Sequence, residues 1–561
     1  MNNTIKEAKT DVKEIVMKSL GKLVAEGKLP AEPLPAFAVE IPNDVSHGDF
    51  SCNIALVSAK VLKQNPRNVA QILAEEADLT GTVFDKIEVA GPGFLNFFVG
   101  KNWFGGTVNA VIEDKENYGK VNDGNGKKVL VEFVSANPTG PMHIGNARGG
   151  ALGDCLSSLL QYAGYYVERE FYVNDAGNQI NKFALSLDIR YRQHFGEDIE
   201  MPEDSYHGQD IIDHVENFAE INGDKYMSAS EEERKKALVD YALPLNIQKL
   251  ESDLLKYRIK YDTWFKESTF HNSGEVMKIV EMLKEKGVTY EKEGAIWFKA
   301  SEFGDDQDRV LVRANGVPTY FVPDIAYHYN KLVTRGFDKA IDVLGADHHG
   351  YIPRMKAALT ALGVDANKLD VVIMQMVMLV RNGEVVKLSK RSGKAITLAT
   401  LLDEIPMDAA RFFFNLRDPN THLEFDLDLA VEESSKNPVY YVQYAHARIC
   451  RILEKQAEEG IVCKHLSTSE LVYNEPAELE LIRHISTLPE VISEGAKTYN
   501  PSLVTRYVID LAQRFHKFYD SCPIKGAEEA VLQSRLSLCE ATKIVLKNML
   551  DLLKVEAPEK M

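Results

Sequence analysis

Val129-Leu-Val-Glu-Phe-Val134, an apolar β-branched run, enters the loop Ser135-Ala-Asn-Pro-Thr-Gly-Pro-Met-His-Ile-Gly-Asn146, and a helix-like segment follows. A strand thus delivers a constrained loop to a helix start. Gly140 and Gly145 let the backbone approach a ligand closely, Pro138 and Pro141 stiffen the turn, and the helix N-terminus offers N–H groups to an anion. This is the layout of a phosphate site. The motif is neither the Gly-x-x-x-x-Gly-Lys-[Ser/Thr] of a P-loop nor the Gly-x-Gly-x-x-Gly of a dinucleotide site, and it presents His143 and Asn146 instead. These two stand at the loop-to-helix junction, where both can reach one anion over the helix start.

Outward from this stretch, residues 1–115 read as a separate α+β unit: a helix to Glu26, a Pro-rich strap from Pro30 to Pro42, helical stretches from Ile54 to Ala77, then strands at Lys86–Ala90 and Phe94–Val99. The Gly/Asn-rich Tyr118 to Lys127 is the expected linker. Residues 116–380 alternate strand and helix, interrupted by a charged helical tract over about 178–255, as an insertion into a parallel sheet would do. Strand-like runs at Tyr166–Val173, Ala295–Phe298, Arg309–Val312, Ala340–Leu344 and Val371–Met374 predict an α/β fold with a split, doubly wound parallel sheet. The apolar run from Val371 to Val380 reads as a buried strand. Residues 381–436 hold a connecting region, entered through a hairpin at Met378–Val386 whose Asn382-Gly383 favours a type I′ turn. From 437 to 561 strand signals vanish and amphipathic helices such as Tyr441–Lys455 and Ala541–Leu553 predict an all-α domain.

The 561 residues suffice for three or four domains, and the charged fraction of 26% is that of an ordinary soluble protein. The longest apolar run is far too short to span a bilayer, and the first helix lacks signal-peptide or transit-peptide character, so a cytoplasmic protein without a membrane partner is expected. Six cysteines, at 52, 155, 450, 463, 522 and 539, form no C-x-x-C pair, and neither disulfides nor a structural metal are expected. A net charge of −18 argues against general affinity for nucleic acid, although a local basic face on an acidic body remains compatible with it. An acidic body also suits a cationic substrate.

The loop of His143 resembles the HIGH signature of class I aminoacyl-tRNA synthetases, and the string from Val131 to Gly145 is similar to the version found in arginyl-tRNA synthetases. Asn146 stands where the family usually has a second histidine; it donates a hydrogen bond without carrying charge. Downstream, Lys387-Leu-Ser-Lys-Arg391 resembles the KMSKS loop, with Leu388 and Arg391 in place of its methionine and last serine. Lys387 and above all Lys390 are therefore expected to act with His143 and Asn146 on the transferring phosphates, with Pro138, Gly140 and Gly145 shaping the ATP site. Asp347-His-His-Gly350 follows a strand at the sheet end where open α/β folds bind ligands. Adjacent histidines diverge on an extended chain and no further His/Cys cluster accompanies them, so Asp347 and His348 are expected near adenosine rather than on a metal.

The resemblance implies L-arginine, ATP and tRNA(Arg) as partners, with Mg2+ as the counterion of ATP. Guanidinium recognition calls for carboxylates. Glu132 and Asp324 supply them; the residues matching Tyr320 and Asn137 line the arginine site in the family. A charged pocket rejects apolar isosteres without an editing domain. Phe94 and Asn96 share one side of a strand by the two-residue period, and in the family this N-terminal unit contacts the tRNA D-loop, where a ring beside an amide can stack on and read a base. Lys436–Arg448 and the ending Leu552–Met561 resemble the helical anticodon-binding domain. The expectation is a monomeric arginyl-tRNA synthetase in which tRNA completes the active site. Its rivals are a class I synthetase for another amino acid and a catalytically silent arginine- or RNA-binding paralogue.

Overall fold

The computed structural model describes residues 3–386 and 396–561, so Lys387 and Lys390 lie outside the described residues. The chain opens with the helix Thr4–Ala25, capped by Asn3, whose side chain accepts from the Lys6 N–H at 2.9 Å. Its buried face carries Ile5, Val12, Ile15, Val16, Leu20 and Leu23. That face packs on the helices Pro66–Glu76 and Lys101–Asp114 and on the edge strand Val39–Glu40 of a four-stranded antiparallel sheet, in which Phe94–Val99 lies between Phe50–Cys52 and Phe84–Ala90.

Five parallel strands form the central sheet, in the spatial order Leu369–Met374, Lys339–Gly345, Lys128–Glu132, Tyr166–Val173, Thr263–Lys266. The chain leaves Lys128–Glu132 toward one edge and returns on its other side with Lys339–Gly345. The winding direction therefore reverses between these two strands, and their C-terminal ends flank a crevice of the kind that receives ligands in open α/β sheets. The helix Ile144–Tyr162 runs from that crevice and is buried on every side from Ala147 to Leu160.

Two strand readings are corrected. Ala295–Phe298 and Arg309–Val312 do not enter the parallel sheet; with Thr289–Lys292 they form a separate antiparallel meander. The reason is local. Glu293 and Gly294 both take positive φ, 53° and 74°, and a two-residue turn of that kind folds the chain back on itself. The place in the parallel sheet is taken by Thr263–Lys266. The run Val371–Val380 is two strands, Leu369–Met374 and Val377–Arg381, parted at Gln375 and Met376. The hairpin that follows has Asn382 and Gly383 at φ 52° and 74°, as a type I′ turn requires, and its first strand also pairs in parallel with Leu423–Asp426.

The inserted tract is three helices, Gly177–His194, Gln209–Asn222 and Glu231–Lys256, with an apolar cluster of their own. Five long helices from Pro438 to Leu553 close the chain. Buried Arg411 ties them to the helix Ile144–Tyr162: its guanidinium donates to the carbonyls of Leu553 at 3.0 Å and Tyr257 at 2.8 Å and pairs with Asp154 at 2.6 Å. The N-terminal unit meets them as well, Asn109 donating to the Leu466 carbonyl at 3.1 Å.

Candidate active site

The strand Lys128–Glu132 ends in a tight reversal. Val134 and Ser135 both take positive φ, 69° and 40°, a conformation that non-glycine residues adopt only where surrounding contacts enforce it. The enforcing contacts are visible: the Ser135 hydroxyl donates to Glu132 at 2.8 Å and accepts from the Tyr172 N–H at 3.1 Å. Pro138 follows, buried, and then His143 caps the helix. The His143 Nδ1 accepts from the Gly145 N–H at 3.1 Å, and Asn146 Oδ1 accepts from the His143 N–H at 3.1 Å. This reciprocal box fixes both side chains. It also fixes chemistry, because a ring whose Nδ1 accepts carries its proton on Nε2 when neutral. The chain returning from residues 387–395 is anchored here: Thr397 bridges His143 and the Leu398 N–H donates to the Met142 carbonyl at 2.8 Å.

Tyr320 and Asp324 come from a helix under the same crevice, Phe321–Tyr329, which continues into a π-turn over Asn330–Thr334. One face of this segment presents Asp324, His328 and Lys331. Lys331 is fully buried and donates to Glu132 at 2.6 Å and Asp342 at 2.8 Å, while His328 bonds Asp342 at 2.7 Å. Burial alone would strip the Lys331 proton, but Asp342 and then Glu132 outweigh it and hold the ammonium charged well above its ordinary range. Burial likewise works against the Asp342 carboxylate, and Lys331 and His328 overcome it, holding Asp342 ionised.

Asp324 differs. Among the described residues nothing donates a hydrogen bond to its carboxylate, and burial pushes its pKa up to about 7, Glu267 and Glu132 adding to the shift and His328 and Lys331 opposing it. A half-buried carboxylate with no hydrogen-bond donor of its own has the chemistry to receive a cation. Tyr320 stands at the rim, its hydroxyl accepting from the Asn178 N–H at 3.0 Å. Asn137 is exposed on the loop, its amide 3.2 Å from that of Asn174. Asp347 and His348 lie past the end of the neighbouring strand, both exposed, with His348 Nε2 3.7 Å from Asp347.

The crevice therefore gathers Glu132, Asn137, Pro138, Gly140, His143, Gly145, Asn146, Tyr320, Asp324, Asp347 and His348 at one end of the sheet. Phe94 and Asn96 stand apart, in the N-terminal sheet, and they separate in environment: Phe94 is 37% exposed, whereas Asn96 is 4% exposed and accepts from Ser51 at 2.8 Å. The outward group there is the ring alone. Sequence reading overlooked Lys331, Asp342 and His328; the spacing of four and then three residues from Asp324 was the available signal. Among the described residues no group of three or more His, Cys, Asp or Glu stands together to hold a metal ion, and no helix is long and apolar enough to cross a membrane.

Comparison with known proteins agrees along the whole chain. Residues 10–99 match the family described as arginyl tRNA synthetase N-terminal domain, 107–449 the class I (R) tRNA synthetase catalytic domain, and 442–561 the DALR anticodon binding domain. An arginine–tRNA ligase of Caldanaerobacter subterraneus subsp. tengcongensis is 53% identical over 562 residues, and one of Acetivibrio thermocellus is 51% identical over 564, each alignment covering 100% of both sequences. The solved Thermus thermophilus arginyl-tRNA synthetase superposes with a TM-score of 0.73 at 22% identity, over 99% of this chain and 100% of the other, a likeness of fold.

Proposed function

The chain belongs to the arginyl-tRNA synthetase family of class I, and from that premise we propose how its residues divide the work of an arginine–tRNA ligase. Its substrates are L-arginine, ATP and tRNA(Arg). The arginine carboxylate attacks the α-phosphorus of ATP, the bond to pyrophosphate breaks, and arginyl-adenylate forms; a terminal ribose hydroxyl of the tRNA then takes the acyl group and AMP leaves. Neither step needs a covalent enzyme intermediate. Orientation and stabilisation of developing charge carry both.

Asp324 takes the guanidinium. The observation that carries this reading is its half-buried carboxylate without a hydrogen-bond donor, which a planar, always-charged cation satisfies in bidentate fashion. Glu132, already held by Ser135 and Lys331, orients the same group, with Tyr320 at the rim and Asn137 at the polar end of the amino acid. His143 through Nε2–H, Asn146 through its amide N–H and the helix start bind the phosphates over Pro138, Gly140 and Gly145; Asp347 and His348 face adenosine. On sequence grounds Lys387 and Lys390 reach the departing pyrophosphate, and Mg2+ accompanies ATP as its counterion. Residues 1–115, with Phe94 outward, grip the tRNA D-loop, 116–380 carry the chemistry, 381–436 connect, and 437–561 bind the anticodon. The enzyme is read as a cytoplasmic monomer whose site tRNA completes.

Aminoacylation with each of the twenty amino acids and total tRNA tests the reading. Arginine alone should charge efficiently; better charging by another amino acid would refute the specificity, and no charging at all would favour the silent paralogue. Lys390→Ala should lower kcat about a hundredfold, since one lost donor to transition-state charge costs about 3 kcal/mol. Labelled pyrophosphate exchange should be nearly absent without tRNA and weaken with rising salt when tRNA is present.

A further inference from the structure

The helical insertion packs an apolar core of its own around Phe183, Leu187, Tyr191, Ile211, Phe218 and Leu238, separate from the two clusters that enclose the central sheet. Its links to the crevice are polar and specific. The Asn246 amide, from the helix Glu231–Lys256, donates to the Pro138 carbonyl at 3.0 Å, and its oxygen is 2.7 Å from His214 Nε2 on the helix Gln209–Asn222. Because the amide nitrogen faces a carbonyl, the oxygen must be the acceptor, so His214 donates; neutral and protonated imidazole can both do so. On the neighbouring side of the turn, the Asp210 carboxylate comes within 3.8 Å of the place a Gly140 Cβ would occupy. The first inserted helix meanwhile reaches Tyr320 through the Asn178 N–H.

The helix Glu231–Lys256 thus joins two cores, Leu238 and Ala242 in the inserted one and Leu250 and Leu254 in the main one, and between them it touches the phosphate loop at a side chain that is itself held by a second helix. Pro138 has no N–H and its carbonyl is turned into protein, so Asn246 fixes the plane of the peptide that begins the Pro138–Gly140 turn. A displaced peptide here would carry His143 with it, and reaction geometry is sensitive to displacements of about 1 Å. We propose that Asn246, oriented by His214, is a positioning residue for adenylate formation, and that the insertion serves the phosphate side of the reaction. This rests on the reading of the His143 loop as the ATP site.

The test is aminoacylation by the full chain with tRNA, ATP and labelled arginine, together with thermal unfolding. Asn246→Asp keeps the shape and removes the donor; it should lower kcat ten- to a hundredfold, with the KM for arginine within twofold of the parent and the unfolding midpoint little changed. His214→Gln retains a donor and should stay near the parent, whereas His214→Leu should repeat the same split three- to tenfold. Asn246→Asp with parental kcat overturns the proposal. So does a parallel rise in arginine KM or a collapsed midpoint, which marks a general loss of structure. His143→Ala separates the premises: if it keeps normal turnover, the ATP-site reading fails and the proposal with it, and if it is inactive while Asn246→Asp is normal, only the proposal fails.

Discussion

Glu132 and Asp342 are register partners on adjacent parallel strands at the point where the sheet reverses its winding, and one ammonium, Lys331 Nζ, bridges them at 2.6 and 2.8 Å. Two carboxylates side by side at a ligand crevice would repel each other and shed a charge by protonation. The buried lysine prevents that. It also leaves Glu132 already paired, so that of the two carboxylates proposed for the arginine pocket only Asp324 lacks a hydrogen-bond donor among the described residues.

Lys331→Met should therefore destabilise the protein by about 3–5 kcal/mol near neutral pH, as removal of one partner from a buried ionic group does. Lys331 binds its proton more tightly in the folded state, so its contribution is complete below about pH 10; Asp342, held ionised, contributes above about pH 4. In the variant, both desolvated carboxylates take up protons as pH falls. The gap between variant and parent should thus narrow from pH 8 to pH 5 in urea unfolding. A pH-independent gap would mean that lost packing, not charge, is responsible.

Asp324→Asn should raise the KM for arginine by about 30- to 1000-fold, from roughly 2–4 kcal/mol for a charge-assisted contact, with the KM for ATP nearly unchanged. If Asp324 takes the guanidinium as proposed, arginine must find it ionised in the parent. With the carboxyl at about 7, the KM for arginine should rise roughly tenfold from pH 8 to pH 6 in the parent and stay flat in the variant. Stability should move the opposite way. Because the folded value lies above the unfolded 3.8, the folded state holds the proton more tightly, and stability is lost as pH climbs from about 4 to 7. Asp324→Asn should thus be more stable than the parent by about 1–3 kcal/mol at pH 8, less than the full shift implies because the group keeps some contact with water, and equal to it near pH 4. Equal unfolding midpoints at both pH values would show that Asp324 already has a compensating partner.

These pairings also mark the boundary of what could be read in the chain. The His143 loop and the Asn382-Gly383 hairpin were legible because glycine, proline and asparagine carry backbone conformation in their own chemistry. The Glu293-Gly294 turn escaped because glutamate rarely adopts the left-handed region it occupies, and with it went the true direction of Ala295–Phe298. Thr263–Lys266 escaped because its place in the sheet is set by pairing with Tyr166–Val173, almost a hundred residues away in the chain, and not by its own short sequence. Lys331 and Glu132 are 199 residues apart, and only the strand register brings the second carboxylate, Asp342, to the same ammonium. Asn96 was read correctly onto one face of a strand with Phe94, yet periodicity cannot tell that Ser51 of a neighbouring strand covers it.

Arg148, fully buried on the helix that His143 caps, donates to the carbonyls of Gln375, Asp418 and Thr421, and among the described residues no acid forms an ion pair with it. Burial lowers its pKa to about 10, Asp418 opposing the shift, and the charge persists at neutral pH. It pins the break between Leu369–Met374 and Val377–Arg381, and thus the base of the hairpin that leads into Lys387 and Lys390. Arg148→Met would strand those acceptors, each costing about 1–3 kcal/mol if it stays dry. The expected result is a loss of about 3–5 kcal/mol in unfolding, with kcat falling more than arginine affinity in the surviving folded enzyme. Unchanged kcat would show that the hairpin base can shift without effect on the reaction.

Phe94 and Asn96 give the sharpest separation of binding from structure, because neighbouring alternate positions on one strand lie in opposite environments. If the outward ring stacks on a splayed tRNA base, Phe94→Ala should raise the KM for tRNA about five- to 150-fold, from roughly 1–3 kcal/mol per stacked base, and leave the unfolding midpoint in place. A stacked base is not a phosphate contact. The salt dependence of tRNA affinity should accordingly keep its slope in Phe94→Ala while the whole line shifts, whereas loss of a lysine or arginine to a phosphate would flatten it. Asn96→Ala should do the reverse. It removes the acceptor of the Ser51 hydroxyl inside the sheet, so it should lower stability by about 1–3 kcal/mol and change tRNA affinity little once folded enzyme is counted. Fluorescence titration with tRNA at several salt concentrations and thermal unfolding resolve the two patterns. A Phe94→Ala enzyme with parental tRNA affinity would leave the ring as exposed apolar surface and move the tRNA grip elsewhere on the N-terminal unit.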